Sequence, residues 1–249
     1  MAGFDLDGVF DDEDYRHFYF NDQKSSDAGA DLEAGQIANL LSLQPGQRVL
    51  DAPCGHGRIT ERLAQRGCRM VGIDRAPHFI SLAEQNAQAL GLDIDYRVGD
   101  LRELSLTEEF DAAVNWFTSF GYFDDATDRD LLHRFHAALR PGGRLLLELQ
   151  NRDRLLRLFN PTSGHALDVG SDVMLDRNTF DPVSGRITTT RYIVRGGRMR
   201  RTQMSVRVFT FTEIRDWLID AGFGGIQAFD REGAPFILES SRMAVIAEA

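Results

Sequence analysis

The chain has 249 residues, 43% of them hydrophobic and 27% charged, with a formal net charge of -10 at pH 7. That length can bury a sizeable core, and the acidic balance argues against a nucleic-acid partner, which demands a broad basic surface. The longest apolar runs are strand-sized and the acidic start lacks a basic stretch leading into an apolar one, so no membrane span or secretory signal is read and a cytoplasmic location is expected. Cys54 and Cys68 make neither a disulfide framework nor, with the histidines, a metal-ligand spacing.

Residues 1–30 are acidic and aromatic without a clear period, and they are expected to form a lid whose Tyr15, His17, Phe18 and Tyr19 close over a site. Asp31 to Leu43 carries apolar residues at helical spacing and ends before Pro45-Gly46. The run RVLDAPCGHGRIT, Arg48 to Thr60, then joins a buried strand ending at Val49 and Leu50 to a helix over Gly57 to Arg66, stopped by Gly67. Gly55 and Gly57 let a ligand lie against the main chain, and the free amides of the new helix can meet its polar end. Asp51 beside them would repel a phosphate. A second strand, Arg69 to Asp74, ends in a carboxylate seventeen residues after Gly57, placed to accept from ribose hydroxyls. A dinucleotide site would want a third glycine where Thr60 stands.

A helix over Pro77 to Leu90 opens with proline and closes at Gly91, and a third strand, Asp95 to Val98, leads to Gly99-Asp100-Leu101, where Asp100 can accept from an adenine amine. The fourth strand, ending at Asn115, runs into Trp116, Phe117, Phe120, Tyr122 and Phe123; a helix over Asp124 to Leu139, a turn at Arg140 to Gly143 and a fifth strand, Arg144 to Leu149, follow. Alternating strands and helices predict an α/β fold, a doubly wound, mostly parallel sheet with ligands at the strand C-termini.

Beyond Asn160 the period becomes two. Val173 to Phe180, Arg186 to Val194 and Met199 to Phe209 read as three antiparallel strands, the last two joined by Gly196-Gly197, so residues 160–210 form an inserted antiparallel sheet within a domain made of 31–159 and 211–249. Between Ser171 and Thr210 stand eight arginines (Arg177, Arg186, Arg191, Arg195, Arg198, Arg200, Arg201, Arg207) against three aspartates (Asp172, Asp176, Asp181), read as the wet face of that sheet more readily than as an RNA surface. Thr212 caps a helix through Trp217 that Gly222 stops, and Gly225 to Asp230 and Phe236 to Ala247 are expected as the two closing strands of the main sheet, seven in all.

The order VLDAPCGHGR, VGID, VGDL, FDAAVNWFTSFGYF, LRPGGRLLLEL, between Leu43 and Gln150, resembles the class I S-adenosylmethionine-dependent methyltransferases, and among them the branch that methylates small molecules, including amino-sugar and glycine-type N-methyltransferases. The resemblance implies S-adenosylmethionine as cofactor. Its methionine end would lie on Asp51, Ala52, Pro53, Gly55, Gly57 and Arg58, its ribose on Asp74 and Arg75, its adenine on Asp100 and Leu101, and its sulfonium side on Asn115, Trp116, Phe117 and Tyr19. Pro53 and Cys54 stand where the family has its usual first glycine. In this family an insertion such as 160–210 covers the active site or joins subunits, and a homodimer through the inserted sheet suits it as well as a cover does.

Methyl transfer from a sulfonium favours a closed pocket of low polarity, which suits the aromatics, with Tyr15, Phe120 and Tyr122 expected against the acceptor. An amine acceptor only has to shed a proton, whereas a hydroxyl needs a base, for which His56, His17 and His165 are candidates; Cys54 has no base placed beside it. The expected activity is methylation of a nitrogen or oxygen of a small organic acceptor, such as a secondary metabolite or amino sugar. An RNA or protein methyltransferase using the arginine-rich insertion, and a non-catalytic nucleoside-binding module, are the alternatives.

Overall fold

A computed structural model describes residues 12–19, 27–160 and 164–249. Seven strands form the main sheet: β1 (Arg48–Asp51), β2 (Arg69–Asp74), β3 (Asp95–Val98), β4 (Phe110–Asn115), β5 (Leu139–Gln150), β10 (Gly224–Phe229) and β11 (Arg242–Glu248). Their order is β10-β11-β5-β4-β1-β2-β3, with β11 antiparallel to both neighbours and every pairing from β5 through β3 parallel. The order reverses between β1 and β4, and the chain leaves both strands at the same edge, which opens a crevice there.

Both faces of the central strands are covered, so β1, β2, β4, β11 and the second half of β5 are mostly buried and their alternate residues enter different cores, whereas the edge strands β3 and β10 are partly exposed. Leu145, Leu147 and Leu149 of β5 pack with α5 (Asp125–Ala138) and α7 (Phe211–Asp220) through Leu132, Phe135, Ile214 and Trp217. Leu146 points the other way, with Ile37 of α2 (Asp27–Leu41) and Leu63 of α3 (Arg58–Gln65). Helix α4 (Pro77–Leu90) lies against β2 and β3 and ends at Gly91, whose φ of 67° is the left-handed stop its sequence predicts.

The inserted sheet has four strands, β6 (Gly164–Val169), β7 (Asp172–Asp181), β8 (Arg186–Arg195) and β9 (Arg198–Arg207), one more than the periodicity predicts. Strand β6 was not expected: its short run begins after Gly164 with few β-branched residues, although Leu167 and Val169 do alternate onto one face. Gly196 and Gly197, with φ of 56° and 74°, make the expected tight hairpin. Helix α1 (Asp12–Tyr19), where no period was read, docks on this sheet: Phe18 packs with Met174 and Ile193, and His17 pairs with Asp172 at 3.0 Å. Other boundaries move as well. Helix α2 starts at Asp27, the cap of α7 is Thr210 and not Thr212, the last strand starts at Arg242 and not Phe236, and the turn predicted at Arg140 to Gly143 is absorbed into β5 as a register shift against β4. A short helix, α6 (Arg152–Arg157), was not predicted. Among the described residues no helix is long and apolar enough to cross a membrane.

The insertion is stitched to the core. Arg207 donates its backbone N–H to the Gly121 carbonyl at 2.8 Å, and the Arg186 guanidinium reaches the carbonyls of Gly121 and Phe123. At Gly121 the φ is 95° and an added Cβ would lie 2.6 Å from the Arg207 carbonyl oxygen, whereas at Gly142, also left-handed at 76°, it would meet open space. Gly142→Ala should therefore cost only the left-handed penalty, about 1–2 kcal/mol, and Gly121→Ala about 2–5 kcal/mol once backbone displacement is added. Urea unfolding of the two variants checks this difference.

Candidate active site

At the crevice lies a cavity of about 470 Å³ whose floor is the turn after β1, whose sides are the tips of β2 and β3, and whose far wall is the aromatic segment after β4. Each wall is set by local chemistry. Asp51 ends β1 almost fully buried and accepts a hydrogen bond from the Thr60 hydroxyl at 2.6 Å. Burial outweighs that bond and the nearby Arg58 charge, and pushes the Asp51 carboxyl up to about 7. Asp74, at the tip of β2, accepts from the Gly55 and Ala76 amides, each at 2.9 Å, so it ties the first loop to the start of α4; burial again raises its pKa. Asp100 is different. Both its oxygens are held by Arg102, at 3.0 and 2.6 Å, which keeps its carboxyl below the usual range.

Of the residues expected on a cofactor, the cavity is lined by Asp51, Pro53, Gly55, Arg58, Asp74, Arg75, Asp100, Leu101, Trp116 and Phe117. Four others stand elsewhere. Ala52 is buried in the core, and Asn115 is wholly buried with its amide donating to the Ala52 carbonyl at 2.9 Å, so it positions the turn from behind. Gly57, at φ 84°, has no room for a Cβ because the Tyr96 hydroxyl would lie 2.3 Å away: it is glycine for the sake of a neighbouring strand, while Gly55 faces open space. Tyr19 sits on the inserted sheet, accepting from Arg191 at 2.7 Å.

The residues expected at the acceptor divide likewise. Tyr122 lines the cavity, but Phe120 is buried in the core, its ring 5.6 Å from that of Phe209. The side chains of Tyr15 and His165 lie outside the described residues. His17 belongs to the contact with Asp172, away from the cavity lining. His56 does line it, and burial, helped by Arg58, lowers its pKa to about 4, so it is neutral at physiological pH. Cys54 is there too, its thiol pushed well up by burial. Phe123 lines it with Trp116, Phe117 and Tyr122 of the aromatic segment, as expected, whereas Pro77, His78, Phe79 and Ser119 line it without having been expected there.

The aromatic wall is braced by arginines. The guanidinium carbons of Arg231, Arg58 and Arg102 lie 5.3, 5.4 and 4.9 Å from the ring centres of Trp116, Phe117 and Phe123. Two of them belong to a buried ion network. Arg58 meets Glu33 of α2 at 2.5 Å; Arg231 bridges Glu33 at 3.1 Å to Glu148 of β5 at 2.7 Å; Glu148, wholly buried, also holds Arg242 at 3.3 Å and the Thr118 amide at 3.0 Å. Phe117 and Thr118 are left-handed at φ 63° and 57°, a turn that Glu148 pins through that amide. Among the described residues no metal-binding cluster exists.

Comparison with known proteins agrees with this geometry. Residues 49–143 match the family model described as a methyltransferase domain. A ubiquinone biosynthesis O-methyltransferase of Xanthomonas axonopodis pv. citri is 34% identical over 113 residues, 44% of this chain and 46% of that protein. The chain thus spans about half the length of the curated relatives it matches. Among solved structures, the CcbJ methyltransferase from Streptomyces caelestis shares 20% identity at a TM-score of 0.77, covering 92% of this chain and 94% of that one. The S-adenosylmethionine-bound CalS10, an amino pentose methyltransferase from Micromonospora echinaspora, shares 21% at 0.67, covering 97% of each. Residues 49–143 are thus similar to a methyltransferase domain, and the chain shares the Rossmann-like fold of these S-adenosylmethionine-dependent methyltransferase structures, with an added antiparallel sheet.

Glu148→Ala should leave Arg231 and Arg242 without their shared counter-ion and cost about 3–5 kcal/mol, the usual result of breaking a buried pair from one side. A double-mutant cycle with Arg231→Met, followed by denaturant unfolding, checks it: the second substitution should cost much less in the Glu148→Ala background.

Proposed function

We propose that the chain transfers a methyl group from S-adenosylmethionine to a nitrogen or oxygen of a small organic acceptor. The observation that carries this reading is the buried Asp74 carboxylate, fixed by two backbone amides at the cavity wall with lone pairs left for ribose hydroxyls. Gly55 adds to it, since the space a Cβ would take beside the turn is open. Asp51 faces the methionine end and its ammonium, and Asp100, already bound by Arg102, offers an edge to the adenine. When bound, the cofactor supplies an electrophilic methyl: the acceptor's lone pair forms the new bond, the carbon–sulfur pair returns to sulfur, and a proton leaves the acceptor. The chain's part is to orient and to exclude water, with Trp116, Phe117, Tyr122 and Phe123 as the low-polarity wall. His56, neutral in this setting, is a proton acceptor of low basicity.

A small acceptor is favoured over RNA by how the inserted arginines are used. Arg186, Arg191, Arg195, Arg200 and Arg207 each pair with a carboxylate, and Arg191 is buried against Asp176 at 2.7 Å, not on a wet face as its alternation predicted. That leaves little basic surface for a polyanion. The names of the similar proteins, an O-methyltransferase of ubiquinone biosynthesis and an amino pentose methyltransferase, lie within the proposed class.

Calorimetric titration tests the reading. The wild type should bind S-adenosylmethionine and S-adenosylhomocysteine in preference to NAD, and Asp74→Ala should weaken both by about 1–3 kcal/mol as hydrogen bonds to the ribose are lost. Preference for NAD would end the proposal. Asp51 adds a pH signature. Its carboxyl is protonated below about 7 in the free protein, and a bound cation favours the ionised form, so affinity should rise with pH up to about 7 and then level off. Binding at pH 6 should release a proton, seen as a dependence of the heat on buffer ionisation, and Asp51→Asn should abolish that release.

A further inference from the structure

A second cavity, of about 610 Å³, opens beyond the Phe117-Thr118 turn, between the core and the inserted sheet. Gln150 at the end of β5, Asn151, Arg154 and Leu158 beside α6, Asn178 of β7 and Arg242 at the start of β11 line it. The two cavities share no lining residue but are linked through one turn: Phe117 lines the first, and the hydroxyl of the next residue, Thr118, accepts from Arg242, which lines the second.

Its charge stands against the rest of the molecule. The chain carries -10, yet among the described residues no carboxylate lines this cavity. Helix α6 bears three arginines. Arg152 pairs with Glu213 at 3.0 Å and Arg157 with Glu239 at 3.1 Å, while the half-buried guanidinium of Arg154, the one on the cavity, has no acidic partner among the described residues. Arg242 is only partly neutralised, because Arg58, Arg231 and Arg242 share the two carboxylates Glu33 and Glu148 and leave one positive charge in excess. A half-buried guanidinium without a counter-ion calls for an oxyanion, which it can grip through two parallel N–H bonds. A second signal is polar but uncharged: Gln150 Oε1 is buried without a hydrogen-bond donor, so a ligand group that donates would satisfy it. Leu155, Leu158 and Phe159 give the remaining wall an apolar surface.

We infer that this cavity is the acceptor subsite and that the acceptor is a small molecule bearing an oxyanion, a carboxylate or phosphate, held by Arg154 and Arg242, with a hydroxyl or amine donating to Gln150. The inference rests on the methyltransferase reading and narrows its acceptor to an acidic class.

The test titrates protein saturated with S-adenosylhomocysteine with matched probes: 3,4-dihydroxybenzoate against its amide, and glucosamine 6-phosphate against glucosamine. The charged member of at least one pair should bind about tenfold or more tighter than its neutral partner. Arg154→Gln should erase that preference, Arg154→Lys should keep part of it, and added salt should weaken it, all with cofactor affinity unchanged. Which pair shows the preference identifies carboxylate or phosphate as the group taken. Equal binding of charged and neutral members, a preference that survives Arg154→Gln, or no binding of either charged probe at millimolar concentration overturns the inference while leaving the methyltransferase reading intact. Failure of S-adenosylhomocysteine to bind the wild type would instead overturn that reading itself.

Discussion

Glu148 is the residue on which the C-terminal edge of the sheet depends. Its carboxylate, wholly buried between β4 and β11, binds two arginines and the amide of Thr118 at once. Burying that much charge is expensive, and apolar packing would serve stability as well, so its use here is better understood as fixing a conformation. What it fixes is the left-handed pair Phe117 and Thr118. Two successive side chains in that region are disfavoured by about 1–2 kcal/mol each and persist only where their surroundings leave no alternative. The turn they make sends the Phe117 ring into the cofactor cavity and the Thr118 hydroxyl to Arg242, so one buried carboxylate determines the shape of both cavities. The network reaches Arg58 in the first turn of α3, which ties the loop after β1 to the loop after β4 through Glu33 of α2 as well as through its own contact with Phe117.

The inserted sheet completes the outer side of the same wall. Residues 119–124 are gripped from three directions: Arg102 stacks on Phe123, Arg186 takes the carbonyls of Gly121 and Phe123, and the β9 backbone bonds Gly121. Asp128 lies under this contact, wholly buried with its pKa raised to about 7 by desolvation and with Arg186 at 4.0 Å, so the junction is polar but little hydrated. Arginine suits these places because its flat fork can satisfy two carbonyls and a carboxylate together, which an ammonium cannot do. The near absence of lysine, Lys24 being the only one, fits a chain whose cations are used for internal bracing.

The alternating strands and helices were legible because the central strands are buried on both faces and read as short apolar runs, which their length and the glycines and prolines flanking them set apart from buried helices. Cavity residues at strand tips, Asp51, Asp74 and Asp100, were legible for a related reason: a carboxylate ending such a run has few structural uses. Gly57 shows the limit of that logic, since its lack of a side chain answers to its left-handed φ and to Tyr96 on β3, distant in the chain and linked to it by no visible pattern. Tyr19 and Phe120 show another. Aromatic side chains serve packing and binding equally, and only the fold reveals that one caps Arg191 and the other fills the core beside Phe209. The ion network was invisible for the same reason: Arg58 and Glu148 stand in quoted motifs, but nothing in those motifs points to Glu33, Arg231 or Arg242, which are far away in the chain.

The three acidic tips are not equivalent, and the difference has a function on the proposed reading. Asp100 has its pKa lowered by the Arg102 hydrogen bonds, which hold both its oxygens and make it a fixed acceptor. Asp51 and Asp74 are buried and reluctant to ionise, so each gains most when a positive or hydrogen-donating ligand arrives. Those acids sit at the β1 and β2 tips, whereas the wall after β4 is aromatic. A carboxylate against the sulfonium would stabilise the charge that the reaction must move and so raise the barrier, while one that grips the far ends of the cofactor lends binding energy without resisting transfer. The separation of acidic floor from aromatic wall thus suits a transfer in which the electrophile loses its positive charge.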